Sequence, residues 1–459
     1  MLYALLRALV RHALAVFFRR IEVEGSERIP RSGPLLLAAN HPNTLIDALL
    51  VASGVPRRVR FVAKATLFRP APVGWLLRAL GAVPVHRRQD GPVEQGTNAR
   101  VLADCEEAVA RGEALLIFPE GVSVDAPRLQ KLKTGLARIA LGAEERAPGR
   151  VVVVPAGLVY DDPATFRSRA RVTYGEPIPV APYRRLAESS GEPFVAVRAL
   201  TEAVREALLA EVVHFDDDAL GEDARLVDEL YGGRVAREAG GRLAATAAIA
   251  RAVSELSARD PARVERLRAA LAAYRAALAD AGVDDRAVRD RAPRAGVASG
   301  LALVAAAPLA LWGALNHLVL YQLPRLVLKV LPVDRGYAAT VKFLVGFLGF
   351  FLTYAVQGAA AHALAERAGG FASPWTPTLL YLGSLPPAGL VALLWGEAYA
   401  SRRRSARVAA RRRSLAPERL AALRAQRREL LRLLDEARAI VLDARLGPAA
   451  PAPPGEEPW

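Results

Sequence analysis

Cysteine is almost missing: Cys105 is the only one in 459 residues. A single thiol excludes an intrachain disulfide and a zinc site built on cysteines. It also fits a reducing compartment. Histidine is scarce, with six residues, and their spacing forms no metal triad. The G-x-x-x-x-G-K-[ST] order of a phosphate loop is absent. Ser123 stands outside any G-x-S-x-G elbow, which argues against a serine hydrolase. No repeat of 20–50 residues recurs. Acids are outnumbered, 47 against 62 Lys and Arg, for a formal charge of +15. Such a surface suits an anionic partner: lipid headgroups, nucleic acid or phosphorylated metabolites. The basic run near the C-terminus carries no interleaved aromatics, which argues against nucleic acid.

Apolar residues, by contrast, are plentiful. They make up 52% of the chain, and the mean hydropathy is +0.17. Both values suit a membrane-bound protein. Residues 1–18 are apolar but interrupted by Arg7, Arg11 and His12, with no small-residue cleavage site after them. Residues 1–20 therefore read as an uncleaved helix at a membrane interface, its cations on phosphates. The plainer alternative is a helix packed on the core.

Residues 21–215 read as an α/β domain. The runs Leu35–Ala39, Ala114–Phe118 and Val151–Pro155 are short enough for buried strands, with Arg171–Tyr174 as a further one. Helical stretches such as Gln95–Ala110 and Thr134–Ala143 separate them. Residues 216–290 read as helical; Asp260-Pro261 is a helix start, and Val264, Leu267, Leu271, Tyr274 and Leu278 recur at helical spacing. Residues 296–400 form a transmembrane region. Gly296–Leu315, Phe343–Leu364 and Pro374–Trp395 carry no Asp, Glu, Lys or Arg, and each is long enough to cross a bilayer. Pro308, Asn316 and Pro324 mark the first stretch as a re-entrant hairpin, leaving two true crossings. Residues 401–459 form a basic tail. Ser401–Arg413 holds seven arginines and no acid, which marks the cytoplasmic side. An amphipathic helix over 414–445 and a Pro/Ala-rich end follow.

The chemistry concentrates in the N-terminal domain. Asn40-His41-Pro42-Asn43-Thr44-Leu45-Ile46-Asp47 follows the strand Leu35–Ala39. An imidazole can take a proton at neutral pH, and a carboxylate can fix its tautomer. Five residues separate His41 from Asp47, and Pro42 disfavours a helical conformation at His41. His41 is therefore expected just before a helix, with Asp47 reaching back from its first turns. A second motif, Gly81-Ala-Val-Pro-Val-His86-Arg87-Arg88, ends in guanidinium groups suited to phosphate. A third, Phe118-Pro119-Glu120-Gly121 with Ser123, ends a strand. Lys131-Leu-Lys133-Thr-Gly135 then opens a helix with positive charge. The fourth, Val151 to Gly157, reads as a strand running into a proline turn, a wall without chemistry.

These four blocks, in this order, resemble those of the glycerolipid acyltransferases, whose members acylate glycerol-3-phosphate and 1-acylglycerol-3-phosphate. The resemblance covers roughly residues 20–180, with Val62–Phe68 between the first two blocks also similar. It implies a mixed sheet flanked by helices. It further implies His41 as general base, Asp47 as its orienter and Arg87 as the phosphate anchor. Glu120 and Gly121 would hold the acceptor, with Lys64, Ser123 and Lys133 as further contacts. The family's third block usually continues with threonine and arginine; Val122 and Ser123 stand here, so Lys131 or Lys133 replaces that cation. The usual gap between histidine and aspartate is four residues. The longer His-Pro-Asn spacing resembles a bacterial subgroup and fungal enzymes acting on glycerol-3-phosphate or dihydroxyacetone phosphate. The implied donor is an acyl thioester, acyl-CoA or acyl carrier protein, as co-substrate, with no cofactor and no metal. The implied setting is phospholipid biosynthesis at a bacterial inner membrane, with the catalytic domain cytoplasmic. The alternatives are another lysophospholipid as acceptor, or a non-catalytic membrane scaffold on the same fold.

Overall fold

The structure is a computed structural model. It describes residues 2–69, 71–85, 97–126, 128–215, 218–238, 241–289, 297–331, 333 and 335–446. The chain divides into two compact units. One comprises Met1–His214 with Leu323–Gly349, the other Phe215–Gln322 with Phe350–Trp459.

The first unit opens with α1 (Leu2–Phe17) and β1 (Arg20–Glu24), then β2 (Leu35–Ala39), α2 (Thr44–Gly54) and β3 (Val59–Lys64). After α3 (Ala71–Ala79) and β4 (Ala82–Val85) come α4 (Thr97–Ala110), β5 (Ala114–Ile117) and α5 (Gly135–Arg146). β6 (Val152–Tyr160), β7 (Arg169–Tyr174), β8 (Ile178–Pro179), α6 (Ala181–Ser190) and α7 (Pro193–Glu211) complete the sequence up to the first break. The sheet order is β1-β7-β6-β2-β5-β3-β4, with β8 on β6. β6, β2, β5, β3 and β4 run parallel, while β7 is antiparallel to β6. The sheet is therefore mixed, as the resemblance implied.

β2 lies near the middle, and all five of its residues are buried. Its side chains alternate between two cores. Leu35, Leu37 and Ala39 join one with α1, α2 and α3. Leu36 and Ala38 join the other with α4, α5 and α7. A central strand covered on both faces needs an unbroken apolar run, and each fully buried Leu contributes about 1.5–3 kcal/mol. α1 packs by Leu6, Val10, Leu14 and Phe17, all buried in the first core. Its Arg7 guanidinium donates to the Ser53 and Val55 carbonyls at the end of α2.

β6 departs from the expected proline turn. It runs through Pro155, which sits in register with Ala38 of β2, and continues to Tyr160. The pairing with β7 starts one residue later, at Ala156 and Tyr174.

The second unit is helical throughout its described elements. α8 (Asp218–Glu238), α9 (Arg242–Arg259), α10 (Pro261–Asp280) and α11 (Asp285–Val288) precede α12 (Val297–Asn316) and α13 (Leu318–Val330). α14 (Arg335–Ala368), α15 (Trp375–Arg413) and α16 (Pro417–Leu446) follow. Asp260 caps α10 by accepting the Arg263 N–H at 2.9 Å, with Pro261 in the first turn. α12 and α15 approach closely: a Cβ on Gly313 would lie 2.0 Å from the Ala388 carbonyl oxygen. Trp395 Nε1 donates to the Leu303 carbonyl at 2.7 Å.

Gly336–Ala368 and Trp375–Arg413 are long and apolar enough to cross a membrane. Gly300–Asn316 and Leu318–Val330 form a pair bent by 49°, as a broken span or re-entrant loop would be. The stretch 296–400 does not act as one block, however. Leu323–Gly349 belongs to the first unit, because Ala339 and Phe343 are buried in its core. The Pro/Ala-rich end, 447–459, lies outside the described residues.

Candidate active site

The site forms where β2, β5 and β6 end, along one edge of the parallel strands. That edge is the usual place for ligands in open α/β sheets. β2 stops at Ala39, and the Asn40 amide then continues its ladder. Asn40 Nδ2 donates to the Leu158 carbonyl at 3.0 Å, and Leu158 N–H donates to Asn40 Oδ1 at 2.7 Å. The chain turns at Pro42, and Asn43 caps α2 in a non-helical conformation (φ −140°).

His41 precedes α2, and Asp47 lies in its first turn. His41 Nδ1 and Asp47 Oδ2 are 2.9 Å apart. Asp47 is fully buried. Its Oδ2 also accepts the Asn43 N–H at 2.6 Å, and Oδ1 accepts the Tyr160 hydroxyl at 2.6 Å. A buried carboxylate requires such partners. The arrangement assigns the imidazole proton to Nδ1 and leaves the Nε2 lone pair to accept a proton. The Phe118 ring stacks on His41 at 3.8 Å, with 13° between the planes, and shields one imidazole face from water.

Glu120 turns inward at the end of β5. Its Oε1 accepts the His41 N–H at 3.0 Å, and the Val124 N–H donates back to the His41 carbonyl at 3.1 Å. Burial lifts the Glu120 carboxyl to about 7. The His41 and Gln130 backbone N–H groups oppose the rise, and the charge of Asp47 adds to it. Gly121 follows with φ +69°, in the left-handed region that favours glycine. The Lys133 side chain lies over Gly121: a Cβ there would be 2.6 Å from Nζ. The Lys133 N–H is anchored on the Pro119 carbonyl at 2.7 Å.

Residues 20–159 match the family model described as Acyltransferase. Among the relatives, glycerol-3-phosphate O-acyltransferase 1 of Saccharomyces cerevisiae is 26% identical over 264 residues, 39% of this chain and 35% of its own. The 1-acyl-sn-glycerol-3-phosphate acyltransferase LPAT1, chloroplastic, of Arabidopsis thaliana is 29% identical over 143 residues, 31% of this chain and 36% of its own. Lyso-ornithine lipid O-acyltransferase of Rhizobium meliloti is 33% identical over 150 residues, 32% of this chain and 49% of its own. The chain thus spans less than half the length of each of these relatives.

The first unit gathers His41, Asp47, Glu120, Gly121, Ser123 and Lys133 into one loop cluster. Ser123 has a structural task there: its Oγ accepts the Thr44 N–H at 3.0 Å, tying the third block to the start of α2. Lys64 closes β3 at the same sheet edge, but its side chain lies outside the described set. Arg87 and His86 also lie outside the described residues. Lys131 is exposed. Among the described residues, no group of three or more His, Cys, Asp and Glu could hold a metal. His317 bonds locally instead, Nδ1 to the Gly313 carbonyl at 2.8 Å and Nε2 to the Tyr354 hydroxyl at 2.9 Å.

Sequence reasoning missed three contributors. Asn40 and Phe118 stood inside the quoted motifs, but their contacts with Leu158 and His41 were not legible there. Tyr160 was hidden by the reading of Pro155 as a turn, which ended β6 five residues early.

Proposed function

We propose that the protein transfers a fatty acyl group from an acyl thioester to a hydroxyl of glycerol-3-phosphate or 1-acylglycerol-3-phosphate. The observation that carries this reading is the buried His41–Asp47 pair, whose Nε2 is left to accept a proton. The acceptor hydroxyl gives its proton to His41 Nε2 while its oxygen attacks the thioester carbonyl. The C–O bond forms, the C–S bond breaks, and the proton held on His41 passes to the departing thiolate. Asp47 steadies the imidazolium between the two events. Glu120 and Gly121 line the acceptor, and Lys133 with Arg87 and Lys64 draws its phosphate. The donor is acyl-CoA or acyl carrier protein, and the reaction calls for no cofactor.

The setting that fits is a bacterial inner membrane with the acyltransferase domain on the cytoplasmic face. Two crossings, α14 and α15, return the chain to the side it left, and the arginines of 402–413 then follow on that side. Leu352, Val356, Leu379, Leu380 and Leu390 are more than half exposed on these helices, as lipid-facing side chains would be. Membrane lipid is then both solvent and product reservoir.

A second reading keeps the chemistry and changes the acceptor to another lysolipid. The lyso-ornithine lipid relative favours it. The test is a panel of glycerol-3-phosphate, 1-acylglycerol-3-phosphate and lyso-ornithine lipid with labelled palmitoyl thioester. Turnover with a phosphorylated glycerol supports the first reading; turnover with lyso-ornithine lipid alone replaces it. A well-folded protein inert toward all three would favour a non-catalytic scaffold.

A further inference from the structure

The matched family segment ends at residue 159, yet a helix from far beyond it reaches the catalytic loop. Thr44, the first residue of α2, has φ +44°. For a β-branched side chain this is a rare and disfavoured conformation, kept only where its surroundings impose it. Its N–H is held by Ser123 Oγ. Its hydroxyl meets Thr340 Oγ1 of α14 at 2.5 Å, with the Gly336 carbonyl at 3.4 Å. Thr44 and Thr340 are both buried. Two residues on, Lys342 Nζ donates to the Ala164 carbonyl at 2.6 Å. The adjoining Pro163 carbonyl accepts Asn43 Nδ2 at 2.9 Å. Asn43 N–H in turn bonds Asp47. α14 therefore holds the loop between His41 and Asp47 at two points: directly at Thr44, and through the 163–164 turn at Asn43.

We propose that Thr340 is a positioning residue that holds Thr44 in its strained conformation and so keeps Asp47 in bonding register with His41, with Lys342 as the second arm of the same brace. The kinetic part of this proposal rests on the acyl-transfer reading; the structural part does not. Because α14 continues as a candidate membrane span, the geometry of the pair is set partly by a helix seated in the bilayer. The bond to Thr340 carries no charge and touches no substrate, so its effect falls on the rate of the chemical step and leaves substrate affinity alone.

The experiment uses the full chain in lipid nanodiscs with 15N-labelled histidine. His41→Gln assigns the imidazole Nδ1 proton resonance of His41. In Thr340→Val, a near-isosteric change, that resonance should broaden or vanish through faster exchange. The kcat should fall on the order of tenfold or more, with KM for both substrates within about twofold. Thr340→Ser should restore both readouts. Lys342→Met, which breaks the other arm, should give a weaker form of the same pattern and serves if Thr340→Val is not recovered folded. An unchanged His41 resonance in Thr340→Val overturns the proposal whatever the turnover. So does a Thr340→Ser variant indistinguishable from Thr340→Val. A wild type inert toward every acceptor, with a resonance that still depends on Thr340, sinks the acyl-transfer reading and upholds the brace.

Discussion

Glu120→Gln removes a charge that the folded chain holds unfavourably. The carboxyl is 4% exposed, and burial raises it from 4.5 to about 7. Folded protein therefore holds this proton more tightly than unfolded protein does. Between those two pH values the folded state binds the extra proton, so the stabilising contribution is complete below pH 4.5 and is lost as pH rises through 7. At 1.36 kcal/mol per pH unit, the ionised group destabilises the fold by about 3 kcal/mol at pH 8. Glutamine keeps an oxygen for the His41 N–H but offers one acceptor where the carboxylate offers two. The pull of the His41 and Gln130 N–H groups is already contained in the rise to about 7, so the variant should be more stable than wild type by about 3 kcal/mol at pH 8, and by nothing at pH 4. Hydrogen exchange of peptides covering β2 and β5 in the full chain reads this locally. Activity should move the other way, with a higher KM for the acceptor. A stability difference that is the same at pH 4 and pH 8 would refute the assignment of a buried, proton-holding Glu120.

The remaining predictions concern its neighbours. Tyr160→Phe removes the hydroxyl on Asp47 Oδ1 and should cost about 1.5–3 kcal/mol of stability. It should also lower kcat more than it raises KM, which steady-state kinetics will show; wild-type kcat would deny Tyr160 a part in holding Asp47. Asp47→Asn sets an NH₂ against one of the three donors now served by the carboxylate, so an inactive variant with a lowered unfolding temperature is expected. Gly121→Ala strains a φ of +69° by about 1–2 kcal/mol. The Lys133 amine that would meet the new Cβ is the far end of a flexible chain, so backbone strain sets the effect; thermal unfolding of the full chain measures it.

The parts of the site most legible in sequence were those with local causes. Leu35–Ala39 is an unbroken apolar run because β2 is covered on both faces, and its strand bounds were read correctly. Pro42 and the five-residue gap placed His41 ahead of a helix with Asp47 in its first turn, and α2 begins where that argument puts it. Glu120 and Gly121 stood at the end of a strand that the apolar run Ala114–Phe118 announced. Other features depended on partners far along the chain. β1 is a partly exposed strand, Arg-Ile-Glu-Val-Glu, that forms by pairing with β7, so it carried no run to read. β6 passes through a proline that local rules place at strand ends, and that error concealed Tyr160. The grip of Thr340 on Thr44 spans 296 residues, beyond any local pattern. Uncharged length announced α14 as a candidate span but could not show that its first half packs in the core of the first unit.

In the proposed reaction His41, aligned by Asp47, takes the proton of an acceptor hydroxyl during acyl transfer. The purified chain and its His41→Ala variant, both in lipid nanodiscs, should be given labelled palmitoyl thioester with glycerol-3-phosphate or 1-acylglycerol-3-phosphate. Wild type should yield labelled ester and His41→Ala none above background, with membrane association unchanged. Ester formation at the wild-type rate in the variant would contradict that role for His41.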